Sequence, residues 1–186
     1  MNRLAFLLRY IFKPRTVGAV LPSSHFLASK MVRGIDFDNA EFIAEYGPGT
    51  GVFTDMLLSN RKANTQLLLI ENDESFCEIL RKKYKNVPNL HIANDSAENI
   101  AKYLAEHSIT HADYIISGLP FASLPQNVSI NILEQAKRHL KPNGAFITFQ
   151  YTLLKKDFIG GFFKNISITR ELRNVPPAYV LHCKVK

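Results

Sequence analysis

From Phe42 onward, short apolar runs alternate with stretches of helical period, and that alternation predicts most of the chain. Strands are expected at Phe42–Tyr46, Gln66–Ile70, Leu90–Ala93, Tyr114–Ser117 and Ala145–Gln150. Helices are expected between them at Val52–Asn60, Glu74–Tyr84, Ala97–Glu106 and Gln126–Leu140. In the second of these, Phe76, Cys77 and Leu80 fall on one face, with Arg81, Lys82 and Lys83 turned to water. Lys141-Pro142-Asn143-Gly144 reads as a turn ahead of the fifth strand. Ile166–Arg173 and Tyr179–Val185, joined across Asn174–Pro177, read as an antiparallel hairpin. Upstream, Leu4, Leu7, Leu8, Ile11 and Phe12 share one face of a helix over residues 2–13, which Pro14 ends. Ser23 or Ser24 then caps a helix running to about Arg33.

Apolar strands alternating with helices predict an α/β fold with a parallel sheet covered on both faces. The expected architecture is a Rossmann-like, doubly wound, mostly parallel sheet of seven strands, with an antiparallel C-terminal hairpin and an N-terminal helical extension. We see no repeat, low-complexity segment or linker. The simplest parse is one domain over residues 1–186, with residues 1–35 as a membrane or lid extension and 36–186 as the core. The composition, 46% apolar and 21% charged, excludes a disordered or fibrous chain. Cys77 and Cys183 form no CxxC and stand in no His/Cys cluster, which argues for a reducing compartment and against a metal site.

Charge changes the picture once it is located. Residues 1–35 carry net +6, residues 36–150 net −4, and residues 151–186 net +5. Basic ends around a mildly acidic middle suit an anionic partner, either a lipid surface or a nucleic acid, and also serve solubility. The longest charge-free run, Tyr114 to Leu133, is broken by Gly118, Pro120 and Pro125, so no spanning segment is expected. The basic N-terminus has no small-residue cleavage site, so no secretory signal is expected.

The chemistry gathers at the ends of the first four strands. Glu45-Tyr46-Gly47-Pro48-Gly49-Thr50-Gly51 is a strand-to-helix turn with alternating glycines, which permit positive φ and close backbone approach to a ligand. A pyrophosphate fingerprint would place a third glycine at position 52, where the chain has Val52. The loop therefore suits a ligand without phosphates. Glu71 ends the second strand, where an acid accepts hydrogen bonds from both ribose hydroxyls of a nucleoside. Asp95 and Ser96 follow the third strand, placed to meet an adenine ring, although Glu71 and Asp95 also suit helix caps. Ser117-Gly118-Leu119-Pro120-Phe121 follows the fourth, a stiff turn expected to aim carbonyls and an aromatic ring at the pocket.

These residues resemble class I S-adenosylmethionine-dependent methyltransferases. Gly18-Ala19-Val20-Leu21-Pro22-Ser23-Ser24, Ser117–Pro120 and Val175-Pro176-Pro177-Ala178-Tyr179-Val180 resemble the bacterial phospholipid N-methyltransferases acting on phosphatidylethanolamine. The core also resembles the rRNA adenine dimethyltransferases. Those carry Asn-Leu-Pro-Tyr or Asn-Ile-Pro-Tyr where this chain has Ser117 at the first position, and they append a helical RNA-binding domain, whereas this chain ends at its hairpin. Both departures favour the lipid, with RNA as the alternative acceptor.

The resemblance implies S-adenosylmethionine as cofactor. Gly47, Gly49 and Gly51 would bed its methionine moiety, Glu71 its ribose, and Asp95 with Ser96 its adenine. Glu45, Asn72 and Ser117 also count among the cofactor-binding residues, and His25, in Ser24-His25-Phe26-Leu27, would touch the methionine carboxylate. Ser117, Leu119 and Phe121 would form the catalytic group, their carbonyls holding the acceptor amine while Tyr46, Phe121 or Tyr151 offers it an aromatic face. The expected partners are an aminophospholipid and an anionic membrane surface met by the N-terminal amphipathic helix, with no obligate protein partner. The expected location is cytoplasmic, peripheral to a membrane. A non-catalytic lipid- or nucleotide-binding module is the reading from a different class.

Overall fold

Five parallel strands build the middle of the molecule, and the central ones are covered on both faces because their inner residues are mostly apolar. The computed structural model describes residues 24–185. Its strands are β1 (Phe42–Tyr46), β2 (Gln66–Glu71), β3 (Leu90–Asn94), β4 (Ala112–Ser117), β5 (Leu140–Gln150), β6 (Asn165–Glu171) and β7 (Ala178–Lys184). The helices are α1 (His25–Val32), α2 (Val52–Asn60), α3 (Glu74–Lys83), α4 (Ile100–Glu106), α5 (Gln126–Arg138) and α6 (Lys156–Gly160), with a 3-10 turn at Ala97–Asn99 ahead of α4. The sheet order is β3-β2-β1-β4-β5-β7-β6, parallel from β3 through β5 and antiparallel across β5–β7–β6. This is the Rossmann-like sheet and hairpin that the pattern predicts.

Alternate residues of the strands feed two cores. Ile43, Leu67, Leu69 and Ile147 pack with Leu27 and Met31 of α1, Leu57 of α2 and Leu80 of α3. On the other face Tyr46, Ile70, Ile115 and Phe146 pack with Ile100 and Leu104 of α4 and Leu133 of α5. The strand order reverses between β1 and β4, whose neighbours β2 and β5 lie outward. A parallel sheet opens a ligand crevice at that point, outside its carboxyl ends.

Several local expectations need correction. Lys141–Gly144 is not a turn before β5 but a wide bulge within it. Leu140 pairs with Ala112 and Ala145 with Tyr114, so four residues stand opposite Asp113 alone. Lys141 Nζ holds the bulge with ion pairs to Asp113 Oδ1 at 2.8 Å and Glu41 Oε2 at 2.9 Å. The expected helix over 97–106 divides at Asn99, and α6 had no helical signal. Phe76 is half-buried where full burial was expected, while Cys77 and Leu80 are buried. Ser24, not Ser23, caps α1: its Oγ accepts from Leu27 N at 3.2 Å. The helix expected over residues 2–13 lies outside the described residues. Among the described residues no helix is long and apolar enough to cross a membrane.

Candidate cofactor and acceptor site

The register across the sheet puts the chemistry at one end. Tyr46 pairs with Ile70 and with Ser117, Ser117 pairs with Thr148, and Glu71 pairs with Asn94. The glycine loop, Glu71, Asp95 and the Ser117–Phe121 turn therefore follow adjacent strand ends, which sequence spacing alone could not show.

All three loop glycines have positive φ: Gly47 at 63°, Gly49 at 56° and Gly51 at 85°. A side chain at Gly47 would lie 2.7 Å from Leu119 Cδ2, and one at Gly118 would lie 2.7 Å from the Gly47 carbonyl. The two turns thus touch backbone to backbone. At Gly49 a Cβ would meet nothing within 4 Å, so open space faces the loop's middle. Glu71 is the brace beside it. Its Oε2 accepts from Gly49 N at 3.0 Å and its Oε1 from Asp73 N at 3.0 Å, joining the glycine loop to the start of α3. Each carboxylate oxygen keeps a further lone pair for a ligand hydroxyl.

Asp95 is held rigidly. Its Oδ1 accepts from Ser96 N at 2.7 Å and Asn99 Nδ2 at 2.8 Å, and its Oδ2 accepts from the Tyr103 hydroxyl at 2.8 Å. Those donors, Asn99 first, lower its pKa from the ordinary carboxylate value and keep it charged. Ser96 caps the 3-10 turn, its Oγ accepting from Glu98 N at 3.3 Å. Asn72 and His25 are exposed, the latter in the first turn of α1.

Glu45 stands apart. It is fully buried; Oε2 accepts from the Thr54 hydroxyl at 2.7 Å, while Oε1 is buried with no hydrogen-bond partner. Burial pushes its pKa from 4.5 up to about 8. Its stabilising contribution is fully present below the unfolded carboxyl's 4.5 and is lost as pH rises through about 8. One pKa unit corresponds to about 1.4 kcal/mol, so the decline is large. We expect Glu45→Gln to flatten the fall in thermal stability between pH 5 and pH 8; an unaltered slope would show that another group carries it.

The acceptor side differs from expectation. Ser117 is buried and its Oγ accepts from Leu119 N at 3.2 Å, while the Leu119 carbonyl accepts from Phe121 N at 3.1 Å. Phe121 does not face the pocket: its ring is fully buried, edge-on to Phe146 at 6.1 Å, and belongs to the core. Tyr46 is fully buried too, with no partner for its hydroxyl, so neither ring is free to face a cation. Tyr151 is half-buried, edge-on to Phe149 at 5.5 Å.

Residues without a local sequence signal complete the site. The Tyr84 hydroxyl lies 2.9 Å from the Gly51 carbonyl and 2.7 Å from Asp55 Oδ1. Lys83 Nζ reaches the Thr50 carbonyl at 3.3 Å and Asp55 at 2.6 Å. Thr148 and Gln150 extend the row from Tyr46 and Ser117, and Thr148 Oγ1 and Gln150 Nε2 are buried without partners. Only the pairing of β4 with β5 brings these groups together. Open space at Gly49, the unpartnered Glu45 oxygen and two fixed carboxylates fit a cationic nucleoside ligand without phosphates.

A family model described as ribosomal RNA adenine dimethylase matches residues 23–158. An ornithine lipid N-methyltransferase from Singulisphaera acidiphila is 28% identical over 181 residues, covering 96% of this chain and 94% of that protein. An rRNA adenine N-6-methyltransferase from Lysinibacillus sphaericus is 30% identical over 134 residues, 72% of this chain but only 50% of that protein. Among solved structures, an rRNA methylase from Streptococcus thermophilus superposes with a TM-score of 0.63 at 15% identity, covering 90% of this chain and all of that one. Human methyltransferase-like protein 13 in complex with SAH superposes with a TM-score of 0.61 at 16% identity, covering 87% of this chain and 79% of that one.

Proposed function

Because the chain belongs to the ribosomal RNA adenine dimethylase family and is an S-adenosylmethionine-dependent N-methyltransferase, we propose that its acceptor is the amino group of a membrane aminolipid. The class includes phosphatidylethanolamine, the sequence expectation, and the ornithine lipid in the name of a relative. The observation that carries the reading is the match to that relative along almost the whole of both chains. Ser117 supports it, because its hydroxyl is already engaged by Leu119 N, whereas the related RNA enzymes keep an Asn amide at that position.

S-adenosylmethionine supplies an electrophilic methyl group when bound. Gly47, Gly49 and Gly51 would let the backbone approach its methionine moiety, and Glu45 and His25 would be the side chains nearest that moiety. Glu71 and Asn72 would take the ribose, and Asp95 with Ser96 would take the adenine. Ser117, Leu119 and Phe121 act through the backbone, fixing the turn past which the acceptor amine enters. Alignment of this kind contributes up to ~7–11 kcal/mol to a two-substrate reaction. A lipid ammonium attacks only as its free base, so its proton must pass to water before transfer, a loss that desolvation beside the partly buried Leu119 and Pro120 would favour.

Adenine methylation in rRNA is the second reading, favoured by the family model and by the relative from Lysinibacillus sphaericus. A labelled-methyl assay separates the two. Full-length protein is offered phosphatidylethanolamine vesicles, ornithine-lipid vesicles and unmodified ribosomal RNA. Label in either lipid and none in RNA is expected; label in RNA alone would overturn the reading. The basic amphipathic pattern of residues 2–13 supports interfacial binding. Deleting residues 1–14 is accordingly expected to abolish sedimentation with anionic vesicles, and undiminished sedimentation would remove that segment from the scheme.

A further inference from the structure

Six large apolar side chains stand exposed among the described residues: Phe26, Ile79, Leu153, Leu154, Leu172 and Val175. All but Ile79 belong to one end of the sheet. Leu153 and Leu154 follow the last residue of β5 by three and four positions. Leu172 and Val175 lie in the β6–β7 turn, which closes where Glu171 pairs with Ala178, one residue before Tyr179 pairs with Gln150 at the end of β5. Phe26 is fastened to the same turn. The Arg173 guanidinium lies 4.2 Å from its ring centroid, and Ser24 N and Oγ reach Asn174 Oδ1 at 3.1 and 2.8 Å. The turn and α1 therefore form one rim.

This rim lies at the carboxyl end of the parallel strands, the end that carries the glycine loop. Gln150 lies two residues past Thr148, which shares a row with Ser117 and Tyr46 at the start of the glycine loop. Leu154 is 83% exposed, Val175 74% and Leu172 64%, values that mark side chains standing clear of the fold rather than edges of the core. Between them in sequence lie Lys155, Lys156, Lys164, Arg170 and Arg173, with Lys164 at the far end of β6. The acids in this stretch are Asp157 and Glu171, and Glu171 is buried and paired with Lys30 at 3.3 Å and Arg173 at 2.8 Å. Glu171 and Arg173 cancel each other, so Lys155, Lys156 and Arg170 stand against one exposed acid, Asp157. Leucines beside this net positive charge match an anionic bilayer, which takes the side chains into its acyl boundary and the bases onto its head groups.

We propose that Phe26, the Leu153–Leu154 loop and the Leu172–Val175 turn form a docking edge that seats the mouth of the pocket on an anionic lipid surface. The inference rests on the aminolipid reading for its purpose but on the exposed rim for its evidence. A lipid head group stays tethered to its chains, so a pocket that takes one must open against the bilayer. Interfacial attachment by one apolar element is marginal, and a second anchor makes it durable. The rim supplies a second element beside the sequence-predicted helix over residues 2–13.

The test uses full-length protein and vesicles of phosphatidylcholine with or without phosphatidylglycerol. The L154D/L172D double variant should retain S-adenosylmethionine binding by calorimetry, which establishes that it is folded. Its sedimentation with anionic vesicles should fall at least about tenfold, because two leucines that would enter the acyl boundary become charged. Ile79→Asp, equally apolar but on the outer face of α3, should sediment as the unaltered protein does. Lys156→Glu should weaken binding only where phosphatidylglycerol is present. Unchanged sedimentation of the double variant would overturn the proposal, as would an equal loss from Ile79→Asp. Methyl transfer is scored separately: rim-dependent sedimentation without lipid methylation keeps the docking edge and removes the aminolipid reading. Lipid methylation with rim-independent sedimentation does the reverse.

Discussion

Glu71→Ala is expected to weaken S-adenosylmethionine binding by about two to four orders of magnitude while leaving the protein folded. The carboxylate has two roles at once. It accepts from Gly49 N and Asp73 N, fixing the glycine loop against the start of α3. In the proposed mode its remaining lone pairs accept both ribose hydroxyls. Hydrogen bonds to a charged group contribute about 1.5–3 kcal/mol each, so losing two from the ligand gives the expected range. Glu71→Gln separates the roles. The amide keeps one acceptor oxygen but donates from its other end, so it should recover part of the affinity and not all. Titration calorimetry with S-adenosylhomocysteine reads both variants, and a Glu71→Ala affinity within threefold of the parent would remove this residue from the cofactor site.

Gly51→Ala should be among the most damaging single methyl additions in the chain. Gly51 is the cap of α2 at φ 85°, a left-handed conformation that costs an L-residue roughly 1–2 kcal/mol. The added carbon would also overlap the Tyr84 hydroxyl and lie 3.2 Å from both Tyr84 Cε2 and Leu80 Cδ2. Overpacking of that kind costs typically ~1–3 kcal/mol. A total of about 2–5 kcal/mol corresponds to a fall in Tm of about 4–20 °C for a chain of this size. Gly49→Ala is the informative contrast. It carries similar backbone strain at φ 56° but meets no atom within 4 Å, so it should unfold at a higher temperature than Gly51→Ala and still lose cofactor affinity. Thermal denaturation of the pair decides the point; equal destabilisation would show that strain, not the contact with Tyr84, dominates.

Much of the fold was legible because its strands are short, apolar and bounded by glycine, proline and charged turns. Phe42–Tyr46 and Val52–Asn60 stand at the bounds their patterns predict. The bulge at Lys141–Gly144 was not legible: proline and glycine signalled an interruption, and only the pairing of Leu140 with Ala112 shows that the interruption lies inside a strand. Helix α6 has five residues, too few for a helical period to register. At the site, the glycine loop, Glu71 and Asp95 can be read locally because each closes a strand. Tyr84 and Tyr103 cannot, since their hydroxyls reach the site from the C-cap of α3 and the middle of α4, many residues from the strand ends. Phe121 misled because the stiffness of a turn says nothing about which side of it a ring packs. The Phe146 ring beside it in the core decided that.

The polar row at the ends of β1, β4 and β5 also bears on how this chain could evolve. Tyr46 and Thr148 carry buried hydroxyls without partners on either side of Ser117, and such groups cost roughly 1–3 kcal/mol each. Phe at 46 and Val at 148 would remove the cost while conserving shape. A lineage selected for heat alone would therefore erase this row early. Its persistence under selection for turnover would mark the row as a place where durability has been surrendered to chemistry.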